Sequence, residues 1–328
     1  MEPTVSVCMI TYMHEAYIGK AIESVLGQKT NFQVELVVGE DASSDNTRGI
    51  IEDYVRRYPK RIRLIPKGPN VGPQQNFTRT FLACKGKYIA MLEGDDCWTV
   101  PHKLQKQVDF LENNPDYAVS AHNLSVINAA GKAINDLIRP EKIPTTYTLE
   151  NLAIANVLLT ASCIYRNTFT AGPNPTGLPD WFVHTKIGDY CLHMLAARHG
   201  KVMYFPDVMG AYRIHDGGIW TRQDDSGRVI MYFEAIYYLR KEFKGEVKQK
   251  LLKQLLDCLQ MLSRMDAIRL DSFLLEYKTQ MLDLIMEDYS LVMKQLLHSP
   301  QHLSTARYSW IKQIRYSGQR IINWYKHH

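Results

Sequence analysis

The sequence has no cysteine pairs in motif spacing and no long hydrophobic run. Its six cysteines are scattered without a C-x-x-C pair, which excludes the usual zinc-knuckle and dithiol redox motifs. No run approaches the 18 apolar residues that a membrane-spanning helix needs. No signal-peptide pattern precedes the apolar run that begins at Val5. We therefore expect a cytoplasmic protein with reduced thiols.

Several common catalytic motifs are also absent. There is no G-x-G-x-x-G after a strand, no P-loop, no H-E-x-x-H and no G-x-S-x-G, which argues against four large enzyme classes. Of the net charge of +5, all lies in residues 301–328, which hold five bases and no acid. A nucleic-acid-binding protein more often carries its charge across a domain face. We expect no nucleic-acid partner.

What the chain does have is an alternation of strand and helix patterns. Its 328 residues, 45% hydrophobic and 22% charged, fit a globular protein of roughly two domains. Short apolar runs predict strands at residues 5–10, 34–38, 61–65, 88–92 and 117–127. Helical spacing of apolar residues separates these runs. The alternation predicts an α/β fold, with a mainly parallel central sheet and helices on both faces.

Polar residues cluster directly after three of these strands. The clusters are residues 11–15, 40–45 and 93–96. Ligands of such sheets bind beyond the carboxyl ends of the strands, so we expect the three clusters to meet at one edge.

The cluster Glu93-Gly94-Asp95-Asp96 supports two interpretations. Adjacent carboxylates repel one another unless a cation or donors neutralise them, and Mg²⁺ or Mn²⁺ commonly bridges carboxylates to substrate phosphates. The functional interpretation is therefore a metal–diphosphate site. The alternative is a solvated acidic turn before the helix that Pro101 opens.

The cluster after the second strand is equally ambiguous. Asp41 could accept a hydrogen bond from a ring N–H of a base, whereas plain turn and capping chemistry would explain Asp45. Farther along, Asp189 lies at the start of an apolar helix. It could act as a general base or serve as a helix cap. His215 precedes Gly217-Gly218. It could be a metal or phosphate ligand beside a loop that closes over the site, or a structural histidine.

The remainder of the chain changes character twice. Residues 229–297 are helical in pattern and rich in leucine, which predicts a small helical bundle. An apolar stripe with basic neighbours in the tail is typical of a helix on an anionic membrane surface, and equally of a docked terminal helix. We predict a domain over residues 1–222, a helical bundle over 223–300 and a basic amphipathic helix over 301–328, with membrane contact through 304–326.

In their order, these motifs resemble those of the inverting family 2 glycosyltransferases, which have the Rossmann-like GT-A fold. The matching segments are 5–12, 40–47, 70–72 with Asn76, 86–90, 93–98, 188–189 and 212–215. The resemblance covers about two thirds of the chain. Within the family, the chain is similar to the spore-coat polysaccharide glycosyltransferases, which also have a Gly-Asp pair late in the domain. Gly188 departs from the acid that often precedes the final aspartate.

The resemblance implies a role for each matching residue. Asp189 is the expected catalytic base, and Mn²⁺ or Mg²⁺ is the expected cofactor, held by Asp95, Asp96 and His215. The expected nucleotide-binding residues are Thr11, Tyr12, Glu15, Asp41, Asn76 and Asp95, and those for donor sugar or acceptor are Glu93, Trp98, Asp180, Trp181 and Trp220.

The resulting functional hypothesis is a metal-dependent inverting transferase. It would move a sugar from a UDP-sugar or dTDP-sugar to a glycan or lipid-linked acceptor of a bacterial surface polysaccharide, at the inner face of the cytoplasmic membrane. The alternative is a non-catalytic paralog that binds sugar nucleotide or glycan within an assembly complex. Whether the chain forms a homo-oligomer is left open.

Overall fold

The computed structural model describes residues 4–135, 145–170, 177–262 and 267–287. These residues form two compact units, which meet in the sequence between Arg222 and Gln223. The first unit carries all the strands of the described chain, and the second is helical.

The first unit is built on one ten-stranded sheet. Its strands are β1 (Val5–Thr11), β2 (Val34–Glu40), β3 (Ile62–Leu64), β4 (Tyr88–Met91), β5 (Cys97–Trp98), β6 (Tyr117–Asn128), β7 (Ala133–Asn135), β8 (Thr145–Tyr147), β9 (Ile164–Arg166) and β10 (Lys201–Ile214). The order across the sheet is β3-β2-β1-β4-β9-β6-β10-β5, with β7 on β6 and β8 on β10.

Six helices accompany these strands. They are α1 (Ile18–Leu26), α2 (Thr47–Arg57), α3 (Pro73–Ala83), α4 (Lys103–Asn113), the short α5 (Leu149–Leu152) and α6 (Gly188–Ala197). Two 3₁₀ turns lie at Thr160–Ser162 and Asp180–His184. In α1 the buried side chains recur at helical spacing, at Ile18, Ala21, Ile22 and Val25, so one apolar stripe packs against the sheet.

Strand direction brings distant loops to one edge of the sheet. Strands β1, β2, β3 and β4 are parallel. Strand β9 is antiparallel to both β4 and β6, so β6 again runs with β4, and β10 is parallel to β6. The carboxyl ends of β1, β2, β4, β6 and β10 therefore share one edge. The predicted α/β fold with a mostly parallel central sheet is confirmed; the antiparallel β5, β7, β8 and β9 were not foreseen.

The interior of the first unit is apolar on both faces of the sheet. Val7 and Leu36 are buried on one face, and Cys8 and Val37, the next residues along β1 and β2, are buried on the other. All six cysteines of the chain are buried and form no disulfide, so they pack as small apolar side chains.

The second unit contains four helices in the part that is described. They are α7 (Asp225–Glu242), α8 (Gly245–Leu262), α9 (Ala267–Glu276) and α10 (Lys278–Glu287). In α8 the leucines recur at helical spacing and are buried. Asp224 caps α7 by accepting a hydrogen bond from the Gly227 N–H at 2.8 Å. The buried Arg240 pairs with Asp283 at 3.1 Å and with Glu287.

Within the described ranges, every helix falls short of the length and hydrophobicity that crossing a bilayer requires. The predicted tail helix over 301–328, with its membrane contact at 304–326, lies outside the described residues, as does the end of the predicted bundle beyond residue 287.

Candidate active site

Three loops at the carboxyl edge bring a histidine, an aspartate and a second histidine together. His14 follows β1, Asp95 follows β4 and His215 follows β10. The Oδ2 of Asp95 lies 3.0 Å from Nε2 of His215 and 3.7 Å from Nε2 of His14. Among the described residues, these three side chains are the group that could share a metal ion, with ligand atoms within 4.8 Å of one another.

The surroundings of His14 and Asp95 favour the protonation states in which these two groups bind metals. Burial lowers the pKa of the His14 imidazole, and the nearby His215 adds to this effect against the opposing charge of Asp95. Burial alone would raise the pKa of Asp95, but the hydrogen bond with His215 and the charge of His14 hold it below its ordinary value. A neutral imidazole and an ionised carboxylate are the ligand forms.

Asp96 lies next to this group but faces into the protein. Its Oδ1 accepts a hydrogen bond from the Arg213 backbone N–H at 2.8 Å, and the side chain is buried. Burial, followed by the charges of Asp95 and Glu93, raises its pKa well above the ordinary value. Asp96 therefore joins the loop after β4 to β10, and His14 occupies the place among the candidate ligands that the sequence assigned to Asp96.

Glu93 and Asp189 face the same small region. The Thr160 hydroxyl donates to Oδ2 of Asp189 at 3.3 Å, and the Tyr190 N–H donates to Oδ1 at 2.7 Å. Burial, with the charges of Asp95 and Asp189, raises the pKa of Glu93 to about 8. Its Oε2 has no hydrogen-bond partner among the described residues. Glu93 thus interacts electrostatically with both Asp95 and Asp189, and Asp189 was expected from a separate motif.

The acid after β2 is used differently. The carboxylate of Asp41 accepts hydrogen bonds from the N–H groups of Val71 and Gly72, at 3.0 and 2.9 Å. Arg79 lies 3.4 Å away, and Asp41 is buried. The carboxylate therefore holds the loop that opens α3, an alternative to base binding that the sequence did not predict.

Asn76 also serves the interior of the protein. Its Nδ2 donates to the Gly39 carbonyl at 2.8 Å, and its Oδ1 accepts from Nε of Arg79 at 2.9 Å. Because the buried amide is hydrogen-bonded at both ends, the structure corrects the expectation that it contacts a nucleotide. It braces α3 against β2.

The loops after β1 and β2 hold two residues in the left-handed region. Met13 has φ of 56° and Ala42 has φ of 58°, a conformation that costs non-glycine residues free energy. The Met13 N–H donates to the Ser43 hydroxyl at 2.9 Å, and Glu15 accepts from the Asn46 N–H at 2.8 Å. Glu15 therefore joins the two loops.

The other two predicted nucleotide-binding residues, Tyr12 and Thr11, differ in solvent exposure. Tyr12 is 49% exposed, so its ring is available at the edge. Thr11 is buried, and its hydroxyl lies 3.2 Å from Nδ1 of His14. Thr11 thereby orients the imidazole.

The predicted sugar-binding tryptophans are placed unequally. Trp98 is buried in the core, where its Nε1 donates to the Ala161 carbonyl at 2.8 Å; it cannot stack on a sugar, and that expectation is wrong. Trp220 is exposed. Trp181 is half-buried beside Phe182, in the 3₁₀ turn that the exposed Asp180 begins.

Sequence reasoning missed two residues of this region. His14 stands in the polar cluster after β1, so its position after a strand was a usable signal. Tyr212 is half-buried, and burial together with the charges of Asp96, Asp95 and Glu93 raises its pKa. Its placement on β10 was hidden because that strand was not predicted.

Comparison with known proteins identifies the first unit. The sequence model of "Glycosyl transferase family 2" matches residues 6–165. An uncharacterized protein of Mycobacterium tuberculosis is 34% identical over 217 residues, which are 66% of this chain and 60% of that protein. A Bacillus subtilis protein named as a teichuronic acid biosynthesis glycosyltransferase is 29% identical over 154 residues, 47% of this chain and 60% of that protein. The chain thus spans less than two thirds of either relative.

Solved structures share the fold at lower identity. Staphylococcus aureus TarS residues 1–349, in complex with UDP-GlcNAc, has 18% identity and a TM-score of 0.58, over 90% of this chain and 82% of that one. The mannosyltransferase PcManGT of Pyrobaculum calidifontis, in complex with GDP-Man and Mn²⁺, has 14% identity and a TM-score of 0.57, over 92% and 89%. The fold is that of the GT-A glycosyltransferases. Residues 6–165 match the model of glycosyl transferase family 2, in agreement with the predicted family.

Proposed function

We propose that the protein is a metal-dependent inverting glycosyltransferase that moves a sugar from a nucleotide-sugar donor to an acceptor hydroxyl. The observation that carries the proposal is the convergence of His14, Asp95 and His215 with Glu93 and Asp189 at one sheet edge. Asp189 supplies a carboxylate at a helix start, and the histidine–aspartate group supplies cation ligands. Such a pair of features suits the departure of a diphosphate and the activation of a hydroxyl.

The donor set of the site fits a divalent metal ion. Two imidazoles and one carboxylate suit Mn²⁺ better than Mg²⁺, which takes oxygen ligands. His14, Asp95 and His215 would hold the ion, in place of the set with Asp96. When bound, the ion would neutralise negative charge that develops on the diphosphate leaving group. Thr11 would support His14 from behind through its hydroxyl.

Asp189 is the proposed general base. Its carboxylate is held by Thr160 and by the Tyr190 N–H, so it is oriented before substrate arrives. It would remove the proton of the acceptor hydroxyl as the hydroxyl oxygen bonds to the anomeric carbon. The bond from that carbon to the diphosphate oxygen breaks, and the nucleoside diphosphate leaves with the electron pair. Attack opposite the leaving group inverts the anomeric configuration.

The nucleotide is proposed to lie at the ends of β1 and β2. The exposed ring of Tyr12 is available there to a base, and Asp41 would act mainly by holding the loop at residues 70–72. A UDP-sugar is favoured, and the TarS complex with UDP-GlcNAc supports a donor of this kind. A dTDP-sugar is the second choice.

The proposed acceptor is a glycan or lipid-linked hydroxyl of a bacterial surface polysaccharide. The name of the Bacillus subtilis relative, which refers to teichuronic acid biosynthesis, supports this class. The basic residues at 304–326 would bring the enzyme to the inner face of the cytoplasmic membrane, where a lipid-linked acceptor is available.

The test begins with a panel of UDP-, dTDP- and GDP-sugars, each with Mn²⁺, in a thermal-shift assay. A true donor should raise the melting temperature, because binding to the native state stabilises it. The stabilising donor is then incubated with the protein, and sugar release or transfer is followed by NMR. An inverted anomeric product is expected, and EDTA should abolish its formation.

Three outcomes would contradict the proposal in different ways. If the donor binds and neither transfer nor slow donor hydrolysis is seen, the non-catalytic paralog is favoured. Transfer with retained configuration would exclude Asp189 as a base acting opposite the leaving group. Full activity in EDTA would remove the metal from the mechanism.

A further inference from the structure

Gln74 lies where the start of α3 approaches the start of α6. It is the second residue of α3, which begins at Pro73. A methyl group added to Gly188 would lie 2.4 Å from Oε1 of Gln74 and 3.0 Å from its Nε2. The amide of Gln74 therefore occupies the space that any side chain at position 188 would need.

Gly188 places this amide next to the proposed base. Asp189 follows Gly188 directly, and both belong to the first turn of α6. The segment before Gln74 is fixed from the other side, because the N–H groups of Val71 and Gly72 donate to Asp41. Gln74 thus links the loop that Asp41 holds to the residue that precedes Asp189.

The amide of Gln74 is available to a ligand. The residue is half-buried, and no other described residue forms a hydrogen bond or a polar contact with its side chain. Its neighbour Asn76, by contrast, is buried with both ends of the amide bonded. An amide that has one acceptor and two donors and is held at a site edge is suited to reading hydroxyl or acetamido groups.

We propose that Gln74 is a specificity-determining residue that hydrogen-bonds the sugar being transferred. This inference rests on the proposed function, in which Asp189 and the diphosphate lie on opposite sides of the transferred sugar. A side chain between the nucleotide region and the base then faces the sugar rather than the base or the diphosphate. Gly188, with no side chain, leaves the room that the amide requires.

The test compares binding of a nucleotide sugar with binding of its nucleoside diphosphate, by calorimetry with Mn²⁺. Gln74→Ala should weaken binding of the nucleotide sugar about tenfold, as expected for one or two lost neutral hydrogen bonds. Its affinity for the nucleoside diphosphate should stay unchanged. Gln75→Ala is the matched control, because Gln75 is the next residue along α3 and is exposed; it should change neither affinity.

A second variant changes the position of the Gln74 amide without changing the residue itself. Gly188→Ala should displace the Gln74 side chain and weaken nucleotide-sugar binding in the wild-type background. In the Gln74→Ala background the space is empty, so the same substitution should have little effect. This non-additivity separates a direct role of the amide from a general disturbance of α6.

Two results would overturn the inference alone. These are equal losses of nucleotide sugar and nucleoside diphosphate in Gln74→Ala, and no loss of either. A wild-type protein that binds the nucleoside diphosphate but no nucleotide sugar from the panel would overturn the proposed function as well.

Discussion

The loops after β2 and β4 both carry acids to the same edge of the sheet, yet they use them in opposite ways. After β2, Asp41 is buried, and both its oxygens accept backbone hydrogen bonds. After β4, Asp95 faces two imidazoles, and Glu93 keeps an oxygen without a partner in the described structure. The carboxylate of Asp41 is therefore used up in hydrogen bonds within the protein, whereas Asp95 and Glu93 keep oxygens that a ligand could use.

The difference separates residues that build the site from residues that act in it. A polar group whose hydrogen bonds are satisfied inside the protein should affect stability first when it is changed. A group that keeps its capacity for a ligand should affect binding or catalysis with little cost in stability. Asp41, Asn76 and Asp96 belong to the first kind, as does the buried His193 of α6. His14, Asp95, His215 and Asp189 belong to the second kind.

The largest effect is expected at Asp189. Asp189→Asn keeps the hydrogen bonds of the side chain in outline but removes the proton acceptor, so turnover should fall by about 10²- to 10⁴-fold. Donor affinity should change by less than about twofold, since Asp189 lies on the acceptor side. Initial rates and calorimetry measure the two quantities. Unchanged turnover would remove Asp189 from the mechanism.

His193 provides the clearest test of a buried polar group that acts on stability. It is fully buried, its Nδ1 lies 2.7 Å from the Tyr165 hydroxyl, and burial lowers its pKa to about 4 from 6.5. Between those values the unfolded chain binds the proton and the native protein does not. Stability is therefore complete above pH 6.5 and is lost as pH falls toward 4, by on the order of 3 kcal/mol.

Chemical denaturation of wild type and His193→Gln across this pH range checks the prediction. The variant should lack this part of the pH dependence, while the exposed His184→Gln should retain it. Parallel curves for wild type and His193→Gln would show that His193 is not held neutral by the fold.

The metal ligands should show the reverse behaviour. His14→Gln removes one of three ligands, so Mn²⁺ affinity should fall by about tenfold or more, with little change in melting temperature. His102→Gln, at an exposed position before α4, is the control. Calorimetry of Mn²⁺ binding without donor measures the effect. Equal Mn²⁺ affinity in the two variants would exclude His14 as a ligand.

The smallest effects on the metal site are expected at Asp41 and Asp96, the two acids that are hydrogen-bonded inside the protein. Asp41→Asn removes one acceptor from two backbone N–H groups, which should cost about 1–2 kcal/mol of stability and leave Mn²⁺ affinity unchanged. Asp96→Asn keeps an oxygen for the Arg213 N–H, so it should also leave Mn²⁺ affinity unchanged. Weaker Mn²⁺ binding in Asp96→Asn would return Asp96 to the ligand set.

The sequence predicts much of the first half of the fold, because apolar runs mark strands that are buried on both faces. Strands β1, β2 and β4 lie close to their predicted bounds. Strand β10 was missed since Pro206, Asp207 and Gly210 interrupt its apolar pattern, and pairing with β6 maintains it through register shifts. Without β10 the convergence of His215 on Asp95 could only be inferred from the family resemblance.

The use of each polar residue is harder to predict than its location. Asp41 and Asp95 look alike in sequence, as acids after apolar strands. Only the tertiary structure shows that Asp41 faces two N–H groups of the 70–72 loop, whereas Asp95 faces His14 and His215. Trp98 likewise follows an acidic cluster but turns into the core, where Ala161 satisfies its indole N–H.

The most direct test of the central claim is pulsed electron paramagnetic resonance of Mn²⁺ bound to the protein together with the donor nucleotide. If the loops after β1, β4 and β10 form one metal–diphosphate site, the spectrum should show nitrogen couplings from two imidazoles and a phosphorus coupling from the diphosphate. His14→Gln should reduce the nitrogen signal to one imidazole. A phosphorus coupling without any imidazole nitrogen would contradict the account.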